Sequence, residues 1–263
     1  MHSVINDIVN STEKRILQID NGDTLKRDPE KRDIVNAIRT KRSLNKVAVI
    51  SEVKPASPGK KLRDISPEDA KEIASEMERA GAIAISVLTE PEFFHGSLDN
   101  LKAVRSNVSI PVLRKDFIVD KIQFEETQSD LILLIAGILG TKLEEMVQLA
   151  ISKGFEPLVE VHNKEELEEA LKTKARVIGI NNRDLSTLEI DLDTTLELVP
   201  RIKEFDNENG TEHIIISESG MHTTDDIRKV IEAGADAVLV GTSIIKSGKI
   251  YTKTKELVDA LDE

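Results

Sequence analysis

Apolar and polar residues alternate along the 263-residue chain in two kinds of segment. Short runs rich in Val, Ile and Leu recur, and runs that are apolar nearly throughout are typical of strands covered on both faces. Longer segments lie between them, in which apolar residues recur every three or four positions, as they do on one face of a helix. The order strand, helix, strand is repeated, so the pattern predicts an α/β protein with a parallel sheet.

One strand–helix–strand unit, in residues 214–243, shows the pattern most clearly. Its first strand is Ile214–Ile216, a capping box of Thr223 and Asp226 begins its helix, and its second strand is Ala237–Val240. Glycines follow the carboxyl end of each strand. Backbone N–H groups can come close to an anion at such positions because no side chain intervenes. In an eight-stranded α/β barrel, the loops after the last two strands are the usual phosphate site.

Six comparable strands precede this unit, which gives eight predicted strands. They are Val47–Val53, Ile83–Leu88, Ile110–Leu113, Leu131–Ala136, Pro157–Val161, Val177–Ile180, Ile214–Ile216 and Ala237–Val240. Eight strands separated by helices, without a break in composition, predict a single (β/α)8 TIM-barrel domain over residues 1–263. An open doubly wound sheet is the alternative, and it is disfavoured because no Gly-x-Gly-x-x-Gly follows any strand.

Helices are predicted between these strands. Four of them have a starting signal in the sequence, namely Ser66–Asp69, a capping box of Thr141 and Glu144, Asn163 with Glu166, and Thr223. The others are predicted as segments: Leu98–Ser106, a short helix around Lys121–Gln128, Asp193–Ile202, a short turn near Ile244–Lys246 and Tyr251–Leu261. The charged run 205–213 is predicted to be a solvated loop.

Residues 1–45 do not fit the repeat, and their amphipathic pattern predicts two helices, the second after Asp28-Pro29. We expect this extension to pack over the barrel, because it is too short for a core of its own.

Charge and composition restrict the function. The formal net charge is −12, which argues against binding of nucleic acid or of an acidic membrane surface. The absence of Cys excludes disulfides and thiolate catalysis, and the His residues show no metal-ligand spacing. No apolar run approaches the roughly 20 residues of a membrane-spanning helix, and the N-terminus lacks a signal-peptide pattern. We expect a cytoplasmic protein without a metal, a monomer or a weak homo-oligomer.

Polar side chains stand at the carboxyl ends of the predicted strands, where the active sites of α/β barrels lie. In chain order they are Glu52, Lys54, Ser57, Thr89, Glu90, Lys115, Asp116, Glu160, Asn181, Arg183, Glu218 and Ser219. Glu52 and Lys54 alternate along one strand, so both can point into the mouth. One polar residue at such a place is more often part of a solvated rim. Several carboxylates and lysines aimed at one mouth are costly to desolvate without a function.

Some of these residues have a structural interpretation. Asp116 and the pair Arg183-Asp184 are expected mostly to form ion pairs or to brace loops. The neighbours Phe93 and Phe94 are unusual in a chain with few aromatics. They are either plain core residues or the wall of a site for an aromatic substrate.

The strand ends resemble those of one family. The chain resembles indole-3-glycerol phosphate synthases from about Val47 to Ser247, in order and at all eight strands. The matching segments are Glu52–Pro58, Leu88–Glu90 with Phe94–Ser97, Leu113–Phe117, Leu133–Ile135, Leu158–Val161, Gly179–Leu185, Ser217–Gly220 and Val240–Ser243. Any one motif is weak evidence, whereas eight in order are not expected by coincidence. The family also has an N-terminal helical extension over the barrel mouth, which residues 1–45 resemble.

The resemblance implies a reaction of tryptophan synthesis that uses no cofactor. In it, 1-(2-carboxyphenylamino)-1-deoxyribulose 5-phosphate closes to indole-3-glycerol phosphate with loss of CO₂ and water. It implies that Lys115 is the general acid, that Glu160 and Glu52 are the acid–base carboxylates with Lys54 beside them, and that Asn181 orients the substrate. The implied substrate contacts are Ser57, Phe94, Phe117, Arg183, Glu218 and Ser219, and the implied phosphate contacts are Gly220, Gly241, Thr242 and Ser243.

Two positions depart from the family pattern. Pro55 stands where the family usually has Arg, and Gln123–Leu131 is shorter than the usual lead into the fourth strand, which predicts a truncated third helix.

Two other functions remain open. Phosphoribosylanthranilate isomerase, another phosphosugar barrel, is expected to use a Cys, which this chain lacks. A non-catalytic phosphate-binding barrel would keep the glycines but would not need Lys115, Glu160 and Glu52 together.

Overall fold

Eight parallel strands close into a barrel in the computed structural model, which describes residues 2–19 and 32–262. The strands, numbered here β1 to β8, are Val49–Val53, Ala84–Leu88, Val112–Lys115, Leu131–Ile135, Glu156–Val161, Val177–Asn181, Ile214–Glu218 and Ala237–Val240. Each strand pairs with the next, and β1 pairs with β8 to close the ring. The predicted TIM barrel is confirmed. A short hairpin of residues 56–57 and 60–61 follows β1.

Helices surround the barrel. They are α1 Ser3–Ile16, α2 Ile34–Ser43, α3 Pro67–Arg79, α4 Leu98–Asn107, α5 Ala136–Leu139, α6 Leu143–Ser152, α7 Lys164–Ala170, α8 Asp193–Asn209, α9 Thr224–Ala233, α10 Thr242–Ser247 and α11 Ile250–Val258. Only a 3₁₀ helix, Lys121–Glu125, lies between β3 and β4, as the short lead predicts. None of the helices in the two described ranges is long and apolar enough to cross a membrane.

The two N-terminal helices lie at opposite ends of the barrel. Helix α1 lies at the carboxyl ends of the strands, where Arg15 pairs with Asp116 at 3.1 Å. Helix α2 lies at the amino ends, where Arg39 pairs at 2.7 Å with Glu212, two residues before β7. The expectation that both helices pack over the mouth is therefore wrong for α2. Apolar residues of α2 are instead buried against the barrel interior at the amino ends of the strands, which would otherwise be open to water. The Asp28-Pro29 step lies outside the described residues.

Two local predictions are wrong. Thr141 and Glu144 do not cap a helix: Thr141 lies in a 3₁₀ turn, and α6 begins at Leu143 without a side-chain cap. The charged run 205–213 is not wholly a loop, because α8 continues to Asn209 and ends at Gly210, whose φ of +65° suits a helix end. Of its charged residues in the helix, Glu208 is exposed, whereas Asp206 is mostly buried against His213.

Candidate active site

A cavity of about 440 Å³ opens at the carboxyl ends of the barrel strands. Every residue predicted for the site lies at its wall. These are Glu52, Lys54, Ser57, Phe94, Lys115, Phe117, Glu160, Asn181, Arg183, Glu218, Ser219, Gly220, Gly241, Thr242 and Ser243. The fold thus brings them to one place, at which a charged centre, an apolar wall and a positively charged end meet.

Lys115 lies at the charged centre. It is the last residue of β3, and its ammonium reaches across the barrel to β5 and β7. Nζ donates a hydrogen bond to Glu160 Oε2 at 3.0 Å and another to Glu218. The lysine side chain is 16% exposed and the two carboxylates 3% and 1%. Water therefore screens the three charges only weakly.

Burial and charge together set the ionisation of this cluster. Burial alone would lower the pKa of Lys115, but the three carboxylates around it raise that pKa above its usual value. Burial acts to raise the pKa of Glu160, yet the Lys115 charge and the polar contacts of Glu160 with His162 and Asn181 bring it well below its usual range. At Glu218 burial prevails over the nearby ammonium, and with repulsion from Glu160 it raises the pKa to about 7. At neutral pH the cluster therefore contains an ammonium, a carboxylate and a carboxyl group near its midpoint of titration.

Glu52 and Lys54 project from the end of β1 into the same cavity, as their alternation predicts. Lys54 Nζ lies 3.3 Å from Glu52 Oε2. Glycine is required beside this carboxylate, because a Cβ on Gly241 would lie 2.5 Å from Glu52 Oε2. Gly179 leaves the same kind of space for the carboxylate of Glu218. The volume of the buried carboxylates is thus a reason for glycine at both positions.

Phe94 and Phe117 form the apolar wall, with ring centroids 6.0 Å apart and ring planes at 36°. Glu90, a buried carboxylate, holds the loop that carries Phe94. It accepts hydrogen bonds from the backbone N–H groups of residues 92–94 at 2.8–3.0 Å. Phe93 packs against apolar residues of the barrel interior. The predicted aromatic pair therefore divides into one wall residue and one packing residue.

The loop after β7 has an unusual backbone. Ser219 and Gly220 both have positive φ, +67° and +89°, and a non-glycine residue is uncommon in this region. Asn182 fixes the loop, since its Nδ2 donates to the carbonyl oxygen of Ser219 at 3.0 Å. Helix α10 begins directly after Gly241, and within residues 32–262 no side chain caps its first N–H groups. These N–H groups can bind an anion.

Lys60 and Lys246 line the same end of the cavity. Neither is among the residues that the sequence singles out. The pKa of Lys246 is lowered by its hydrogen bond and charge interaction with Lys60, so two positive groups lie close together there. A phosphate dianion would relieve their repulsion.

Two residues with predicted structural roles are engaged by protein groups. The carboxylate of Asp116 accepts from Arg114 at 3.0 Å, from Thr89 at 2.7 Å and from Arg15, which confirms the predicted ion pairing. Arg183 Nη1 donates to the carbonyl oxygen of residue 188 at 2.7 Å. Arg183 therefore braces its own loop while it lines the cavity.

Pro55, which replaces the usual Arg, organises the loop after β1. Its carbonyl oxygen accepts hydrogen bonds from the backbone of Leu62 and Arg63 at 2.9 and 3.0 Å. The next residue, Ala56, donates its N–H to the carbonyl oxygen of Phe94 at 3.1 Å. Backbone contacts thus join this loop to the one that carries the apolar wall.

His162 is the second feature that sequence reasoning missed. Its ring lies behind Glu160, with Nε2 at 3.3 Å from Oε1. The signal was present, because residues 160 and 162 point to the same side of a strand and Glu166 stands four positions later in the first turn of α7. In the described part of the chain, no group of three or more His, Asp or Glu residues is placed to hold a metal ion.

Solved structures of similar fold include an N-acetylmannosamine-6-phosphate 2-epimerase from Clostridium perfringens and an (S)-3-O-geranylgeranylglyceryl phosphate synthase from Thermoplasma acidophilum. Both have a TM-score of 0.60. The likeness to the epimerase covers 87% of this chain and 98% of the epimerase at 15% identity. The likeness to the synthase covers 88% of this chain and 99% of that protein at 14% identity. At this identity the likeness shows the fold alone.

Sequence relatives show the family. A protein from Methanopyrus kandleri described as indole-3-glycerol phosphate synthase is 44% identical over 81% of this chain and 84% of its own. Proteins of the same description are 42% identical in Aquifex aeolicus, over 80% of each chain, and 40% identical in Bacillus cereus, over 96% of each. The family model for indole-3-glycerol phosphate synthase matches residues 3–257. The chain belongs to the indole-3-glycerol phosphate synthase family.

Proposed function

We propose that this chain converts 1-(2-carboxyphenylamino)-1-deoxyribulose 5-phosphate into indole-3-glycerol phosphate, CO₂ and water. The observation that carries the proposal is the position of Lys115, whose ammonium is hydrogen-bonded to two buried carboxylates between an apolar wall and a positively charged end. The substrate has the same order of parts, with an aromatic ring, a ketone and a phosphate along an extended chain.

Lys115 acts as the acid in ring closure. As the aromatic carbon attacks the ribulose carbonyl carbon, negative charge develops on the ketone oxygen, and the ammonium donates a proton to it. The surrounding carboxylates keep Lys115 charged until that oxygen becomes more basic than the amine. Loss of CO₂ then restores an electron pair to the ring.

The carboxylates serve the dehydration. The hydroxyl group formed in ring closure leaves as water, which requires a proton at that oxygen and removal of a proton from the ring system. Glu160, which accepts a hydrogen bond from Lys115, and Glu52 both line the cavity, and Lys54 Nζ lies 3.3 Å from Glu52 Oε2. Asn181, on the strand between Glu160 and Glu218, orients the substrate.

The phosphate binds at the end of the cavity that the loops after β7 and β8 form. Backbone N–H groups of Gly220, Gly241, Thr242 and Ser243 donate to it, and Lys60 and Lys246 supply charge at the rim. Ser57, Arg183 and Ser219 complete the polar contacts. At the other end, Phe94 and Phe117 contact the anthranilate ring.

One assay tests the proposal against its alternatives. Purified protein is incubated with the carboxyphenylamino substrate, and indole fluorescence is recorded. An increase that depends on the protein supports the synthase reaction. Turnover of phosphoribosylanthranilate instead would identify the isomerase. Binding of the substrate without turnover would identify a binding protein and overturn the proposal.

A further inference from the structure

His162 lies between two carboxylates at the back of the site. Its side chain is 2% exposed. Nδ1 lies 2.9 Å from Glu166 Oε2 in α7, and the same oxygen accepts the His162 backbone N–H at 3.0 Å. On the other side, Nε2 lies 3.3 Å from Glu160 Oε1, a charge contact without good hydrogen-bond alignment. The other oxygen of Glu160 accepts from Lys115.

Glu166 is itself held in place. Asn163 Nδ2 donates to its Oε1 at 3.1 Å, so both of its oxygens are engaged. Gly137 in α5 makes room for it, because a Cβ there would lie 2.5 Å from Glu166 Oε1. A carboxylate fixed in this way also fixes the ring that it binds.

The imidazole is positively charged at neutral pH. The charged groups that face it are Glu160 from β5, Glu166 from α7 and, farther away, Asp184 in the loop after β6. Burial would lower the pKa of His162, but the contacts with Glu160 and Glu166 outweigh it and raise the pKa to about 9. Glu160 thus lies between two cations, the imidazolium behind it and the Lys115 ammonium in front.

We propose that His162 is a positioning residue that holds the Glu160 carboxylate towards Lys115 and the substrate, and that Glu166 sets the orientation of the ring. The inference rests on the proposed function, because it assigns His162 a part in that reaction. With His162 absent, Glu160 keeps one cationic partner and can rotate. It also becomes easier to protonate, since a positive charge beside it is lost.

Three variants test the role. In His162→Leu we expect kcat to fall about ten- to hundredfold, the usual cost of losing a group that orients a functional residue, with little change in KM. The acidic limb of the kcat–pH profile should move to higher pH, because the pKa of Glu160 rises. His162→Gln can still reach Glu160 and should recover part of kcat. His162→Asn reaches only Glu166 and should not.

His213 provides a matched control away from the cavity. Its Nδ1 lies 2.5 Å from Asp206 Oδ1, and its backbone N–H donates to the same carboxylate at 2.9 Å. His213→Leu should lower thermal stability without moving kcat or the pH profile. If His162→Leu behaves in the same way, or if the Gln and Asn variants are equally active, His162 is merely structural and the inference fails.

A measurement independent of turnover separates this inference from the proposed function. Titration of the five His rings by NMR, with His162→Leu as the assignment control, should place His162 near pH 9 and at lower pH in Glu160→Gln. Titration of His162 near the ordinary value of about 6.5 in an active enzyme would overturn the inference. Absence of wild-type turnover would instead reject the proposed reaction.

Discussion

Lys115 is surrounded by more negative charge than it can neutralise. Two of the carboxylates bind its ammonium directly and Glu52 lies nearby. This arrangement keeps the lysine protonated in a buried site, where an isolated ammonium would lose its proton. The Lys115 charge in turn lowers the pKa values of Glu160 and Glu218 against the effect of burial, which raises them.

We predict that Lys115→Met lowers kcat about 10²- to 10⁴-fold, the usual contribution of a general acid, while the substrate still binds. The pKa values of Glu160 and Glu218 should then rise, because their cationic partner is gone. A carboxyl group whose pKa is higher in the folded than in the unfolded state stabilises the fold at low pH, and this contribution is lost as pH rises through the folded-state pKa. The variant should therefore melt at a higher temperature at pH 5.5 than at pH 8. Near-normal turnover, or a loss of turnover that follows unfolding at every pH, would reject Lys115 as the acid.

Glu218 should give the enzyme an ionisation near neutrality, since burial and Glu160 raise its pKa to about 7. Deprotonation adds negative charge beside an anionic substrate. We therefore expect kcat/KM to fall as pH rises through about 7, and this limb to be absent in Glu218→Gln. The measurement is kcat/KM between pH 5.5 and 9 for both proteins. An unchanged limb in the Gln variant would assign it to another group.

The sequence identified most residues of the cavity wall, though not Lys60 and Lys246, and it did not show how residues act on the wall from behind. Lys115 and Glu160 stand at strand ends, and the fold alone places such residues at the mouth. Glu90 and His162 matter through their partners, namely backbone N–H groups in one case and a carboxylate on a helix in the other. Such contacts depend on loop geometry, which periodicity does not report.

Helix α1 forms part of the cavity. Ile5 lies at its wall, Arg15 pairs with Asp116, and the His2 N–H donates to the carbonyl oxygen of Leu185 at 2.7 Å in the loop after β6. The contacts of Arg15 and His2 join the helix to two loops of the mouth. Helix α1 is therefore a cover of the site, whereas α2 closes the far end of the barrel.

Removal of residues 1–18, with α2 retained, should raise KM about tenfold, equivalent to a loss of roughly 1.4 kcal/mol of binding. Arg15→Ala should raise it less, because Asp116 keeps Arg114 and Thr89. KM and thermal stability are measured on both proteins. A truncated protein with unaltered KM would show that α1 is dispensable for substrate binding.

Helix boundaries were predicted well where a cap is local and poorly where tertiary packing prevails. The box of Thr223 and Asp226 is observed, because both of its hydrogen bonds lie within four residues. The expected box of Thr141 and Glu144 is not, since α5 and a 3₁₀ turn follow β4 without a loop. Past Ile202, α8 continues because Gly210 provides its end.

The whole molecule is acidic, yet one end of its cavity is basic. The net charge of −12 repels anions, so we propose that the lysines at this end of the cavity help to hold the phosphate. We predict that Lys60→Ala with Lys246→Ala raises KM about three- to tenfold, as loss of exposed charge interactions does. Phosphate binding, followed by thermal shift, should weaken in parallel. Lys102→Ala with Lys172→Ala removes the same charge from two exposed positions, one in α4 and one just after α7, and serves as the control. Equal effects of the two pairs would mean that overall charge, not the site, is responsible.

The overall architecture was the most predictable level. A repeated strand–helix order allows few topologies, and a closed parallel ring brings every strand end to one face. Relative placement of the N-terminal helices was not predictable, because an amphipathic pattern shows that a helix has an apolar face and not what that face covers.

Three glycines, at positions 137, 179 and 241, lie against carboxylate oxygens, and this sets which genetic changes the enzyme can accept. In a host that grows only when this step of tryptophan synthesis works, codon-randomised libraries at 179 and 241 should yield glycine alone among survivors. Position 137 should be more permissive, because Glu166 can move. Position 210 should return Asn and Asp besides glycine, since a Cβ there meets nothing within 4 Å and only φ is restrictive. Survivors with alanine at 179 or 241 would show that the buried carboxylates can shift. At positions 179 and 241 the tolerated residues are thus set by the space beside a carboxylate, and not by backbone conformation.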